Sequence, residues 1–96
     1  MSSLEQIKNT LSLNKKSLFD KYGLCVLAVF GSYACNQQND KSDVDILVEF
    51  KKPIGIEFID LAKELENMLN ERVDLVSKNG VKPNYLQAIS NELNYV

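Results

Sequence analysis

Histidine is absent from this chain and arginine occurs once, at Arg72. Without imidazole there is no Ser-His or Cys-His nucleophile pair, no histidine-rich zinc site and no imidazole acid–base step. An enzyme built from this sequence must use carboxylates and metal. A single arginine also limits bidentate clamping of phosphate by the chain itself. Cysteine is scarce, with Cys25 and Cys35 too few for a disulfide framework, and Cys25 lies in an apolar run where a thiol behaves as a small hydrophobe. A reducing cytoplasm is the simplest compartment. No signal-peptide core opens the chain, and no apolar run approaches the ~20 residues of a membrane span, so a soluble protein without membrane contact is expected.

Proline (2) and glycine (4) are sparse, while apolar residues at 45% and charged residues at 25% sit in the ordinary globular range. Disorder is therefore not expected. Thirteen acids against 11 bases give a net charge of −2, which does not suit a basic nucleic-acid binder. The 96 residues fit a single small domain spanning 1–96, with no room for a second catalytic unit.

Ser3-Leu4-Glu5-Gln6 reads as a capping box. Leu4, Ile7, Leu11, Leu18 and Tyr22 then fall at helical spacing, which predicts a helix to about Lys21, bent near Leu13-Asn14 and stopped by Gly23. Leu24 to Phe30 is a continuous apolar run that predicts a strand buried on both faces. A short helix over about 32–35 and a polar loop over 36–41 lead to a second strand from Asp43 or Val44 to Phe50. Phe58, Ile59, Ala62, Leu65, Met68 and Leu69 predict an amphipathic helix over about 55–70, its stripe widened by Ile56 and Leu61. Arg72 to Ser77 is a third strand. Pro83 opens a last helix with Leu86, Ile89 and Leu93 inward. The order α-β-α-β-α-β-α predicts an α/β (α+β) fold, helices packed on a small three-stranded sheet.

Phe30-Gly31-Ser32 comes off the first strand, and Asp43-Val44-Asp45 opens the second. Strand side chains alternate, so Asp43 and Asp45 share a face. Two carboxylates ~5 Å apart at an effective dielectric near 20 repel by roughly 3 kcal/mol, a cost that a cation or a proton relieves. Asp at a strand entry can also simply bond nearby amides. Asp74 stands second in Val73-Asp74-Leu75-Val76, a pattern that mirrors Val44-Asp45-Ile46-Leu47. If the strands are neighbours in register, Asp43, Asp45 and Asp74 converge at one sheet edge. Such an oxygen-rich site suits two Mg²⁺ ions, or Mn²⁺, and phosphoryl or nucleotidyl transfer is the natural chemistry. In that scheme Asp43 and Asp45 hold the metal that bridges the nucleotide phosphates. Asp74 binds the second metal and helps deprotonate an acceptor hydroxyl. Gly31 lets phosphate approach the backbone at a helix start, with the Ser32 hydroxyl as a further donor. Lys41 and Ser42 stand where a phosphate could be met, although a solvated loop lysine fits Lys41 as well. Tyr33 either packs near the nucleotide or covers the core edge.

Gly31-Ser32, ten residues from Tyr33 through Ser42, Asp43-x-Asp45 with the strand after it, and Val73-Asp74-Leu75-Val76 together resemble the minimal nucleotidyltransferases of the DNA polymerase β-like superfamily. The resemblance spans nearly the whole chain. It implies a mixed sheet, divalent-metal dependence and a nucleoside triphosphate donor. It further implies the antitoxin of a HEPN/MNT toxin–antitoxin module, which transfers AMP from ATP to a tyrosine of a helical HEPN-domain toxin within a hetero-oligomer. Where the family loop commonly reads Gly-Ser-x-Ala-Arg-Gly, this chain has Cys35 and Asn36 in the last two places. That departure favours the alternative, a binding module of the same fold that masks its partner by contact.

Overall fold

In the computed structural model, which describes residues 3–35, 37–39 and 41–96, helix α1 runs over Leu4–Tyr22. Its capping box is closed in both directions: the Gln6 N–H donates to Ser3 Oγ at 3.2 Å and the Ser3 N–H to Gln6 Oε1 at 2.9 Å. Gly23 ends the helix at φ +66°, a left-handed cap that costs glycine little. Strand β1 (Leu24–Phe30) follows, then a single-turn helix α2 (Gly31–Ala34), strand β2 (Val44–Phe50), helix α3 (Glu57–Leu69) and strand β3 (Val73–Ser77). After a 3-10 turn come helix α4 (Pro83–Ile89), a second 3-10 turn and the two-residue strand β4 (Asn94–Tyr95).

The sheet has the order β3-β2-β1-β4. β1 is antiparallel to β2 and to β4, whereas β2 and β3 are parallel, with α3 as their crossover. The three strands expected from the sequence are all present. The fourth joins the edge of β1 through Ala28 and Val29, with the Val96 N–H reaching the Leu27 carbonyl at 2.9 Å. Two residues carry no periodic signal, so its pairing is legible only once β1 is in place.

Alternation along β2 divides the molecule. Val44, Ile46 and Val48 turn to one face, where Leu11 and Leu18 of α1 and Leu61 and Leu65 of α3 close a continuous core. Each such leucine contributes about 2 kcal/mol relative to an exposed one. On the other face, Phe30 and Leu47 meet Ile89 of α4, with Leu86, Leu93 and Val76 partly buried around them. The short α4 covers only part of that face, which is where the odd-numbered residues of β2 project.

Two packing expectations change. The stripe of α3 is centred on Leu61, Leu65 and Leu69, so Ile56 (73% exposed) and Ile59 (54% exposed) face outward instead of joining the core. Cys25 is exposed rather than buried, because a register shift between Leu24 and Val26 takes it out of the regular alternation. Its sulfur lies 3.5 Å from the Glu49 carbonyl.

At the junction of α1 and α3, the Tyr22 hydroxyl donates to Glu64 Oε1 at 2.7 Å, and Lys21 Nζ reaches the same oxygen at 2.9 Å. The Tyr22 bond, followed by that from Lys21, holds the Glu64 carboxyl below its ordinary 4.5. The folded state therefore binds this proton less readily than the unfolded chain, and the stabilisation is present above pH 4.5 and lost as pH falls through the folded value. Tyr22→Phe is expected to cost about 1 kcal/mol in urea denaturation at pH 7. The difference from the parent should shrink progressively in acid below pH 4.5.

Candidate functional site

The register of β2 and β3 places Asp45 directly beside Asp74, and that of β1 and β2 places Phe30 on the other side of Asp45. Paired residues of a sheet present their side chains on the same face. Asp45 is half-buried next to Phe30, while Asp74, on the edge strand, is exposed. Burial first, then the charges of Asp74 and Asp43 and a hydrogen-bond contact with Asp74, push the Asp45 carboxyl up to about 6. Glu92 adds a smaller push in the same direction.

Asp43 stands one residue before β2 rather than within it. Its Oδ1 pairs with Arg72 Nε at 3.1 Å, and Arg72 Nη2 donates to the Lys41 carbonyl at 2.7 Å. Asp43 still contributes to the field at Asp45, but its carboxylate is engaged by the guanidinium. Among the described residues, no three His, Cys, Asp or Glu side chains form a ready-made metal cage. What is in place is a two-carboxylate seat at Asp45 and Asp74 with a third carboxylate beside it. The donor set is hard oxygen and the crowding is of like charge, which fits Mg²⁺ or Mn²⁺.

The Gly31 backbone packs directly against that seat. Its φ is +75°, and a Cβ added there would collide with the Asp45 carboxylate, lying only 2.9 Å from its Cγ. Glycine is needed here both for the backbone angle and for the close approach. The Gly31 N–H, which the sequence offers to phosphate, donates instead to Glu92 Oε1 at 3.1 Å.

The other expected site residues are dispersed. Ser32 lies half-buried beside Gly31 in α2. Tyr33 is 1% exposed and packs in the main core, its hydroxyl donating to Glu71 Oε1 at 3.3 Å, so of its two possible roles the structure places it in the core. The Ser42 hydroxyl accepts the Asn39 N–H at 3.0 Å and serves the turn. Lys41 is exposed, and its carbonyl is what Arg72 binds. Cys35 caps α2 through its N–H to the Gly31 carbonyl at 3.1 Å, and Asn36 lies outside the described residues.

Two residues enter the site without any local sequence signal. Glu92 arrives from the 3-10 turn before β4. Tyr85 of α4 sets its ring edge-on to Phe30 at 6.4 Å, and burial, then Asp45 and Asp74, push its hydroxyl above the usual range. Only the return of α4 across the second face brings them here.

Asp45 carries a proton more readily when folded than when unfolded, so without divalent cation the folded state loses stability as pH rises from about 4 through about 6. Melting curves in chelator should show this decline, and Asp45→Asn should remove it, leaving the variant more thermostable than the parent at pH 7. In a second test Gly31→Ala, with its positive φ, is expected to cost about 1–2 kcal/mol in urea denaturation.

This geometry agrees with the comparisons. Residues 5–93 match the Polymerase beta, Nucleotidyltransferase family. The protein adenylyltransferase MntA of Thermococcus cleftensis is 40% identical over 97 residues, covering 100% of this chain and 98% of that one. A Methanocaldococcus jannaschii relative assigned to the same enzyme class is 43% identical over 98 residues, spanning the whole of both chains. Among solved structures, a minimal nucleotidyltransferase superposes with a TM-score of 0.84 at 29% identity, covering 99% of this chain and 97% of the other. A toxin–antitoxin complex with AMP-PNP gives 0.74 at 26% identity, covering 86% and 69%. The Shewanella oneidensis complex of a tri-AMPylated HEPN toxin with its MNT antitoxin gives 0.68 at 25% identity, covering 94% and 70%. The chain described here belongs to the polymerase β-like nucleotidyltransferase family, and its fold is that of a minimal nucleotidyltransferase.

Proposed function

We propose that this protein is a metal-dependent adenylyltransferase that moves AMP from ATP to a tyrosine hydroxyl of a HEPN-domain toxin and so acts as its antitoxin. The observation that carries this proposal is the Asp45–Asp74 pair, side by side in parallel register and packed against the glycine backbone at Gly31. The names of the relatives and the contents of the related complexes support the donor and the partner class.

In the proposed reaction the acceptor oxygen forms a bond to the α-phosphorus of ATP while the bond to pyrophosphate breaks, and the hydroxyl proton passes to a carboxylate. Asp45 and Asp74, joined by Asp43, would hold two Mg²⁺ ions, or Mn²⁺. Bound there, such ions would neutralise phosphate charge and lower the cost of deprotonating the hydroxyl. Asp74, the most exposed of the pair, faces the acceptor and receives its proton. Asp45, half-buried, fixes the depth at which the phosphates lie. Gly31 leaves room for Asp45 at that depth, and Ser32 stands next to it as a hydroxyl donor. An acceptor presented on a partner's surface can reach this open rim. Among the described residues no helix is long and apolar enough to cross a membrane, and a reaction that draws on ATP belongs in the cytoplasm.

Neutralisation by contact alone is the alternative. Two features favour it: the Glu92 bond that occupies the Gly31 N–H, and the Cys35-Asn36 pair where the family carries arginine and glycine.

Incubation with labelled ATP, Mg²⁺ and the helical protein encoded beside this gene separates the two. Transfer predicts label on the partner, lost by at least about 10²-fold in Asp45→Asn and Asp74→Asn. Absence of label, together with an Asp43→Ala/Asp45→Ala variant that still protects cells, would establish masking by contact.

A further inference from the structure

We propose that Arg72 is a positioning residue for Asp43, holding the segment before β2 so that this carboxylate is presented to the Asp45–Asp74 seat. The inference rests on the assignment of that seat to a divalent cation.

Residue 72 grips the incoming chain at successive points. Its Nη2 takes the Lys41 carbonyl at 2.7 Å, its Nε takes Asp43 Oδ1 at 3.1 Å, and its own carbonyl accepts the Val44 N–H at 2.7 Å. Among the described residues, Asn39, Lys41 and Ser42 close the turn upstream with bonds to one another. None of these three bonds engages the Asp43 side chain. The contact that does engage it comes from Arg72, the residue before β3, through the guanidinium.

Arginine suits this task and lysine does not. The planar fork holds a carbonyl and a carboxylate at once in a fixed relation, whereas an ammonium is a compact point charge on a flexible stem. The fork is divided between Asp43 and Lys41 rather than closed on the carboxylate. This is the placing of an outer hydrogen-bond partner, which orients a ligating carboxylate without replacing the metal.

Arg72 and Asp43 have side chains 66% and 47% exposed, and an exposed ion pair contributes little to stability. Loss of Arg72 should therefore be felt in cation affinity and hardly at all in the melting temperature. The positive charge of Arg72 also opposes a nearby cation. Positioning and repulsion act with opposite sign, so measured affinity decides between them.

The probe is Mn²⁺ alone, titrated into the full chain without nucleotide or partner and followed by electron paramagnetic resonance. Arg72→Ala is expected to weaken binding about tenfold, the lower end of the range for outer partners of metal ligands. Arg72→Lys should recover only part of that loss, and melting curves should show both variants folded. Asp43→Ala should weaken binding to a similar extent, and Arg72→Ala added to Asp43→Ala should change nothing further. Unchanged or tighter binding in Arg72→Ala would overturn the proposal and make Arg72 a competitor of the cation. A loss that persists in the Asp43→Ala background would overturn it as well, since Arg72 would then act by another route. Absence of saturable binding in the parent, or binding indifferent to Asp45→Asn, would remove the cation seat itself and the role of Arg72 with it. Should Arg72→Ala fail to fold, Arg72→Gln, which keeps a donor but not the fork, takes its place with the same expected outcomes.

Discussion

The parallel register of β2 and β3 is the constraint on which the rest of this structure depends. It sets Asp45 opposite Asp74 in a position where both carboxylates must share one face, and where one of them is half-buried beside Phe30. A pair of like charges is costly in that half-buried setting, where burial lowers the effective dielectric, and useful only when something positive arrives. The main core on the opposite face is what holds the register. Val44, Ile46 and Val48 are locked between α1 and α3, and a one-residue slip of β2 would turn all of them outward. Stability is thus concentrated on one face of the sheet, and the strained chemistry on the other.

The two ends of the chain enclose that chemistry differently. β1 delivers Gly31 against the Asp45 carboxylate, and the positive φ of Gly31 lets backbone take the place of a side chain. The C-terminal segment returns across the open face, bringing Tyr85 over Phe30 and Glu92 to the Gly31 amide. Arg72 ties the remaining approach, the segment that carries Asp43. The acid pair is therefore bordered by a glycine, an aromatic ring and a third and fourth carboxylate, each supplied by a different element.

Much of this was legible in the sequence because it rests on local periodicity. The capping box, Gly23, the spacing of Ile7, Leu11 and Leu18, and the parallel patterns Val-Asp-Ile-Leu and Val-Asp-Leu-Val need only neighbouring residues to be read. The convergence of Asp45 and Asp74 followed from those two patterns once the strands were taken as neighbours. What was not legible depended on rotation or on long-range return. Ile56 and Ile59 belong to the same apolar stripe as Leu61 and Leu65 by count, and only the docking angle of α3 leaves them outside. Tyr33 is adjacent to Gly31 and Ser32 in sequence, yet the single turn of α2 carries its ring into the core. Arg72 and Glu92 have no periodic context, and their partners lie 29 and 61 positions away, so no local signal could have assigned them.

Direct observation of the Asp45 carboxyl decides whether Asp45 and Asp74 form a crowded acid pair. Its titration can be followed by carbon-detected nuclear magnetic resonance on the free protein in chelator, on Asp74→Asn, and on the parent with Mg²⁺. A midpoint of about 6 in the parent, lowered by Asp74→Asn and lowered again by the cation, is the predicted result. A midpoint at the ordinary 3.8, indifferent to both changes, would contradict the picture of a crowded acid pair built to receive a cation.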